Sequence, residues 1–419
     1  MRKLWSSIAH ASSAKIYSLL VGVFTLSLTA RLLGPEGRGQ VAAITTWVGM
    51  FSTFAYLSLG QVALHRMATD QEHRRFGSLL GSLLLMAMGL TLAGWLVAFG
   101  LHWYNPEGVF KGLPTFPLVV GFLTLPFMIW EQYGSSLLMG LERLRTYNRY
   151  QIIGRTVSVA GVFVLVGGLG LGVAGALESN LLGQVIVAIG GIGFLFAFAR
   201  NKQCACWPDK SELKALLAGG AKLHLNAIGA FLFISANILI LHNYHGAEQT
   251  GYFQLAIQLL GVLMIIPQAA SMVLYGKVTS LGPNGAWPQN KRLLVQITLS
   301  MMALSTIAAL LAPWGITLLA GEAFRPAVEP FQWMLLGLIG MTFSTVMAPQ
   351  WIGRGYFWQA AGLTFMVGAI NLVANFWLIP LHGMRGAVYA FLGTYAFSMF
   401  GNGAMAWHCQ LQYDKEKYL

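Results

Sequence analysis

Apolar runs of about 20 residues recur along the whole chain, and each is long enough to cross a hydrocarbon core about 30 Å thick as a helix. A backbone in lipid must satisfy its hydrogen bonds internally, which leaves helices or closed barrels. These runs are too long and too evenly apolar for the alternating strands of a barrel, so the expected fold class is all-α integral membrane. Only 10% of the 419 residues are charged while 56% are hydrophobic. The formal net charge of +12 then reads as the positive excess of cytoplasmic loops, and nucleic acid is set aside as a partner. Cys204, Cys206 and Cys409 make no disulfide framework, and Cys204-x-Cys206 lacks further zinc ligands, so neither metal nor cofactor is expected. Met1-Arg2-Lys3 precedes an apolar stretch with no small-residue cleavage site, and is read as the start of a retained first helix.

Twelve spans are predicted, over residues 12–33, 40–62, 77–102, 116–138, 151–170, 175–199, 216–241, 252–276, 293–313, 328–349, 359–379 and 385–407. With the N-terminus inside, only Arg31, Arg38, Lys111, Arg325 and Arg385 of the 26 basic residues fall on the outer side, and the other 21 fall on the cytoplasmic side. One missed or false helix inverts every later loop, so this asymmetry supports the count. Both termini are placed in the cytoplasm. No connection exceeds about 16 residues, so neither face carries a soluble domain and the work is done within the bilayer.

Three pairs of motifs recur half a chain apart, in preserved order. Gly34-x-Glu36-x-x-Gly39 is matched by Gly246-x-Glu248-x-x-Gly251 at an offset of 212, and Gly172-x-x-Gly175-Ala176 by Gly383-x-x-Gly386-Ala387 at 211. Ala14-Lys15-Ile16 is matched by Ala221-Lys222-Leu223 at 207. The chain is therefore read as two homologous six-helix lobes, 1–204 and 205–419. An even number of spans per repeat keeps both lobes in the same direction, related by a pseudo-two-fold axis along the membrane normal. Parallel repeats of this kind bind between their halves and rock around the site, so alternating access is expected.

The stretch Ala30-Arg31-Leu32-Leu33-Gly34-Pro35-Glu36-Gly37-Arg38-Gly39 resembles the first outer loop of bacterial polysaccharide flippases, the exporters of O-antigen and exopolysaccharide repeat units. These belong to the multidrug, oligosaccharidyl-lipid and polysaccharide exporter superfamily. Gly140-Leu141-Glu142-Arg143-Leu144-Arg145-x-Tyr147-Asn148 and Gly246 through Tyr252 extend the resemblance. It implies a transporter rather than an enzyme, in the bacterial inner membrane. It also implies a substrate, undecaprenyl-pyrophosphate-linked oligosaccharide, flipped from the cytoplasmic to the periplasmic leaflet with proton or sodium coupling. Beyond membrane lipids, the partners it implies are a polysaccharide polymerase and a chain-length regulator.

Such a substrate presents two phosphates and many hydroxyls, so its path needs cations beside small polar groups. Lys15, Ser18, Gly22, Thr25 and Thr29 share one face of span one, and Lys222, Asn226, Ala230, Phe233 and Asn237 share one face of span seven. Lys15, Lys222 and Arg155 lie near cytoplasmic ends and either meet the pyrophosphate or snorkel to lipid phosphate. Arg31, at the outer end of span one, either meets departing phosphates or anchors the helix. Glu131 in span four and Glu178 in span six are intramembrane carboxylates. Glu131 pairs with a cation or takes up the coupling proton; Glu178 does the latter or is a solvated helix start. Asn371 and Asn375 share a face of span eleven and read as interhelical hydrogen-bonding groups as readily as sugar ligands.

Other functions remain open on the sequence: a peptidoglycan-precursor flippase resembles the layout but typically has two more helices than the twelve spans, and a scaffold would leave the polar faces of spans one and seven without purpose. A cation-coupled multidrug antiporter of the same superfamily is disfavoured because spans one and seven carry lysines and no carboxylate. A membrane glycosyltransferase or polysaccharide polymerase is disfavoured by the lack of a sizeable outer loop. No motif encodes the identity of the sugar.

Overall fold

In the computed structural model the predicted spans merge into fewer, longer helices that break at glycine. The structure describes residues 2–68, 75–105 and 108–417, and their side chains except those of 2–16, 18–20, 222, 223, 226, 233, 234 and 415–417. Regular structure among the described residues is helical throughout: α1 (Arg2–Tyr56), α2 (Leu59–Ala68), α3 (Phe76–Tyr104), α4 (Thr115–Phe122), α5 (Leu125–Gly140), α6 (Leu144–Gly161), α7 (Gly172–Asn201), α8 (Lys210–Leu263), α9 (Ile265–Ala320), α10 (Val328–Gly353), α11 (Phe357–His382) and α12 (Met384–Lys417). A π-helical turn, Val162–Gly168, extends α6, and a 3₁₀ turn, Glu322–Ala327, precedes α10.

Non-helical backbone interrupts α1 at Gly34, α8 at Gly246 and α9 at Gly282. Divided there, with α1 continued by α2, α4 by α5, and α8 by the start of α9, the described helices form twelve successive segments that accommodate the twelve predicted spans. Among the described residues seven continuous stretches are long and apolar enough by themselves to cross a membrane, and an eighth is if 21–56 and α2, bent by 45°, count as one. The helices also outrun the apolar runs: span twelve, expected to end at 407, continues as helix to Lys417. Backbone hydrogen bonding persists past the lipid edge wherever no breaker intervenes.

The internal repeat is visible in the backbone. Gly34 (φ 66°, ψ −177°) and Gly246 (φ 81°, ψ −174°) adopt the same conformation, one that strains any residue with a Cβ. Gly172 and Gly383 pair likewise, with φ 56° and 58°. Contacts repeat too. A Cβ on Gly37 sits 3.5 Å from Val173 Cγ2, and at the matching positions Met384 N donates to Gln249 Oε1 at 2.9 Å. Thus in each half the start of its second helix packs on the start of its sixth.

The packing divides inside α8 into two compact units, residues 1–231 and 232–419. The lobe boundary expected at 204/205 is one of sequence homology, and it remains an expectation. In unit 1, α5 is central: Leu125, Ile129, Tyr133 and Leu137 are fully buried among residues of α1 to α4 and α7. The segment leading into α8 lies against α3, where a Cβ on Gly77 or Gly81 falls 2.3 or 2.4 Å from the carbonyl oxygens of Ala205 and Cys206. Asp209 then caps α8: its Oδ2 accepts from the N–H groups of Ser211 and Glu212, each at 3.1 Å, and from the Ser211 hydroxyl. Those donors, the Ser211 hydroxyl foremost, hold the Asp209 carboxyl below its ordinary range. In unit 2, α11 and α12 are joined by a buried hydrogen bond from Asn371 Nδ2 to Thr394 Oγ1 (3.1 Å), with Asn375 Nδ2 donating back to Asn371 Oδ1 (2.7 Å).

Candidate functional site

The first helix of unit 1 carries a run of polar groups, and its neighbours supply partners along that run. Near one end Tyr17, two residues after Lys15, hydrogen-bonds through its hydroxyl to Thr156 Oγ1 at 2.5 Å. Thr156 follows Arg155 on α6, so the backbone of Lys15 and that of Arg155 come to the same level of unit 1. Arg155 is exposed. Higher on the helix the Thr25 hydroxyl donates to Val21 O at 2.7 Å, and that of Thr29 donates to Thr25 O at 2.7 Å. Both hydroxyls turn back onto their own helix and keep an oxygen lone pair for a further donor. At Thr29 that donor is Arg38, whose Nη1 reaches Thr29 Oγ1 across the Gly34 break.

Arg38 is 8% exposed, whereas Arg31, the cation singled out from the sequence, is exposed. Sequence reasoning placed Arg38 on the outer side only as a loop charge. Residues 29 and 38 are nine apart, and the spacing has no meaning until the chain folds back at Gly34.

Glu131 on α5 is half-buried and meets two neutral donors on α6. Gln151 Nε2 lies 2.5 Å and the Tyr147 hydroxyl 3.3 Å from Glu131 Oε1, and Gln151 Nε2 also donates to Tyr147 Oη at 3.0 Å. Among the described side chains no Lys or Arg forms an ion pair with it. A cavity of about 10 Å³ lined by Glu131, Ser135, Tyr147 and Tyr150 adjoins the carboxylate, room for about one water. Glu178, in the second turn of α7, is half-buried and has no hydrogen-bond or ion-pair partner among the described residues.

The remaining predicted residues divide between the two units. Lys15 and Ser18 lie on helical backbone of α1, and Lys222 and Asn226 on that of α8, in unit 1; their side chains lie outside the described residues. Asn237 belongs to unit 2, is 3% exposed, and accepts the Ile238 N–H on its Oδ1 at 2.9 Å.

One polar cluster went unnoticed in the sequence. In unit 2, Ser344 Oγ and Ser398 Oγ are 3.1 Å apart, Asn402 Nδ2 donates to Ser344 Oγ at 3.1 Å, and Trp351 Nε1 donates to Asn402 Oδ1 at 2.9 Å. They border a cavity of about 270 Å³ between α10, α11 and α12. The i, i+4 spacing of Ser398 and Asn402 is a weak sequence signal; their partners on α10 carry none. Among the described residues no three His, Cys, Asp or Glu side chains gather as a metal site.

Comparison with known proteins gives this geometry its context. Residues 4–275 match the model of a family described as polysaccharide biosynthesis protein. In fold the chain is similar to lipid II flippase MurJ in an inward closed conformation, at 12% identity and a TM-score of 0.73, over 93% of this chain and 86% of that one. It is similar as well to a multidrug resistance MATE family transporter of the MOP superfamily in an inward-facing conformation, at 15% identity and a TM-score of 0.65, over 97% and 96% of the two chains. A third likeness is to a MOP superfamily transporter from Pyrococcus furiosus, at 14% identity and a TM-score of 0.57, over 97% and 93%. No curated protein matches the sequence.

Proposed function

The chain belongs to the polysaccharide biosynthesis protein family, whose model spans residues 4–275, and from that premise we propose that it flips undecaprenyl-pyrophosphate-linked oligosaccharide from the cytoplasmic to the periplasmic leaflet of a bacterial inner membrane. Family and fold make it a membrane transporter of the MOP superfamily rather than an enzyme. The observation that most supports this substrate is the polar run on α1 of unit 1, with Arg155 at the level of Lys15 and buried Arg38 on Thr29. A headgroup with phosphates and hydroxyls needs cations beside small polar groups, and a drug-like cation does not.

In the proposed cycle the lobes 1–204 and 205–419, repeats related by a pseudo-two-fold axis along the membrane normal, rock so that the substrate path opens to one face and then the other, with both termini cytoplasmic. Lys15, Lys222 and Arg155 hold the diphosphate in the inward-open state. Ser18, Thr25, Asn226 and Asn237 meet sugar hydroxyls, and Arg31 and Arg38 receive the phosphates at the outer end. A proton or sodium gradient drives the cycle through Glu131 and Glu178. The product passes to a polymerase and its chain-length regulator.

The direct test uses purified protein in vesicles loaded with undecaprenyl-pyrophosphate-linked oligosaccharide on one leaflet. Translocation of that lipid, with no uptake of a cationic dye, is the expected result. Dye uptake without lipid translocation would instead establish the multidrug antiporter. Coupling has its own test. Glu131→Gln keeps the hydrogen bonds from Tyr147 and Gln151 sterically possible but removes the titration, and flux is expected to become independent of pH. An unchanged pH profile eliminates Glu131 as the proton carrier.

A further inference from the structure

Within unit 1, span two bends by 45° where α1 gives way to α2. The bend is made by two residues with side chains in left-handed backbone, Leu57 (φ 47°) and Ser58 (φ 53°). Neither is a glycine, asparagine or aspartate, so the local conformation is strained and must be held by its surroundings. From the α5 side, the Tyr133 hydroxyl donates to Tyr56 O at 2.9 Å, taking the carbonyl next to the break. From the other side the first half of α8 holds it. Ser58 Oγ and His224 Nδ1 are 3.3 Å apart, and the Tyr56 ring meets the His224 ring edge-on at 5.5 Å. Gly220 lies so close to the break that a Cβ there falls 2.3 Å from Leu57 O.

The contact continues down α2. A Cβ on Gly219 lies 2.9 Å from Val62 Cγ1, and Arg66 forms a two-pronged ion pair with Glu212, Nε to Oε2 and Nη2 to Oε1 each at 2.7 Å. Residues 62 and 66 share one face of α2, just beyond Ser58, and 212, 219, 220 and 224 share one face of α8. The seam is therefore antiparallel, with an ion pair and the Ser58–His224 contact beside glycines that meet buried Leu59 and Val62. Beyond residue 231 the same helix runs on into unit 2.

We infer that the Leu57–Ser58 break is a hinge clamped by the first half of α8, and that this clamp opens and closes once in each transport cycle. Docked α8 holds the strained bend; released, the two residues return to right-handed backbone and span two straightens. A strained element held from two sides has a second arrangement once one side is withdrawn, and a helix that continues into the second unit is the lever that selects between them. The inference rests on the transport reading for its role in the cycle and on the seam alone for its existence.

The test replaces Cys204, Cys206 and Cys409 with Ser and introduces Val62→Cys with Gly219→Cys. The Cβ of residue 219 lies 3.6 Å from that of residue 62, inside the span of roughly 3.5–4.5 Å that disulfides use. Oxidation is expected to lower lipid-linked sugar flux more than tenfold, with recovery on reduction. Undiminished flux from fully cross-linked protein overturns the opening of the clamp. A second arm needs no substrate: Glu212→Gln is expected to speed maleimide labelling of a single Val62→Cys several-fold, and an unchanged rate overturns the ion pair's part in it. If the reduced protein moves no lipid-linked sugar while the labelling arm responds, the clamp stands and the proposed substrate fails.

Discussion

Replacing Lys15 and Lys222 together by Ala is expected to reduce translocation of the lipid-linked sugar at least a hundredfold in protein that inserts normally. The two residues stand in repeat-related Ala-Lys motifs 207 residues apart, on the polar faces of spans one and seven. The Tyr17–Thr156 bond brings the first of them to the level of Arg155. A charge-assisted hydrogen bond contributes roughly 1.5–3 kcal/mol, so each lost ammonium costs on the order of tenfold or more in binding. Each single variant should fall about tenfold and the pair further, because the remaining cation no longer shares the diphosphate charge. Lys→Arg at either position keeps the charge and should retain part of the flux. The reading is carried out on vesicles of matched protein content, and wild-type flux from the double variant removes both lysines from the site.

The second large effect is on stability. Gly386→Ala is expected to destabilise the folded protein by roughly 1–3 kcal/mol or more, read as a lowered unfolding temperature in detergent or nanodiscs. The new methyl falls 2.2 Å from Leu378 O and 2.5 Å from Leu378 C, and main-chain atoms of α11 cannot rotate aside as a side chain does. Its repeat partner, Gly175, meets Leu171 Cβ at 2.9 Å and the Leu165 backbone at 3.2 Å, so Gly175→Ala should be the milder of the two. Gly393→Ala serves as control: nothing lies within 4 Å of its Cβ, and in mid-helix the change should be neutral or slightly stabilising. Equal unfolding temperatures for the Gly386 and Gly393 variants would refute the close approach of α11 and α12 at this point.

Much of the architecture was legible before any coordinates. Lipid imposes it: a span must be about 20 apolar residues of helix, and charge is confined to the ends. The glycine motifs were legible for the same kind of reason. At Gly34 and Gly246 the left-handed backbone admits little else, and at Gly175 and Gly386 neighbouring atoms stand where a side chain would go. Asn371 and Asn375 declared a shared face, and one of them does bridge to the next helix.

The site was legible only in part. Span one announced its polar face, yet the cation that reaches Thr29 is Arg38 from beyond the turn, while Arg31 is exposed. Glu131 announced itself as a buried acid, but its described partners are Tyr147 and Gln151, which no spacing connects to residue 131. Arg66 and Glu212 are 146 positions apart, and only the meeting of α2 and α8 brings them together.

What the sequence by itself determined, then, is the all-helical membrane fold class and the repeated positions where only glycine fits. Tertiary structure alone decided which helix faces meet, that α8 divides between two packing units, and that Leu57 and Ser58 are held in a bend. The division follows from the solvent. A soluble helix advertises its inner face by an apolar stripe, but lipid tails are as apolar as leucine, so a spanning helix is apolar over most of its circumference. Its partners are then chosen by close packing and a few hydrogen bonds between residues far apart in the chain, and that information exists only once the chain has folded.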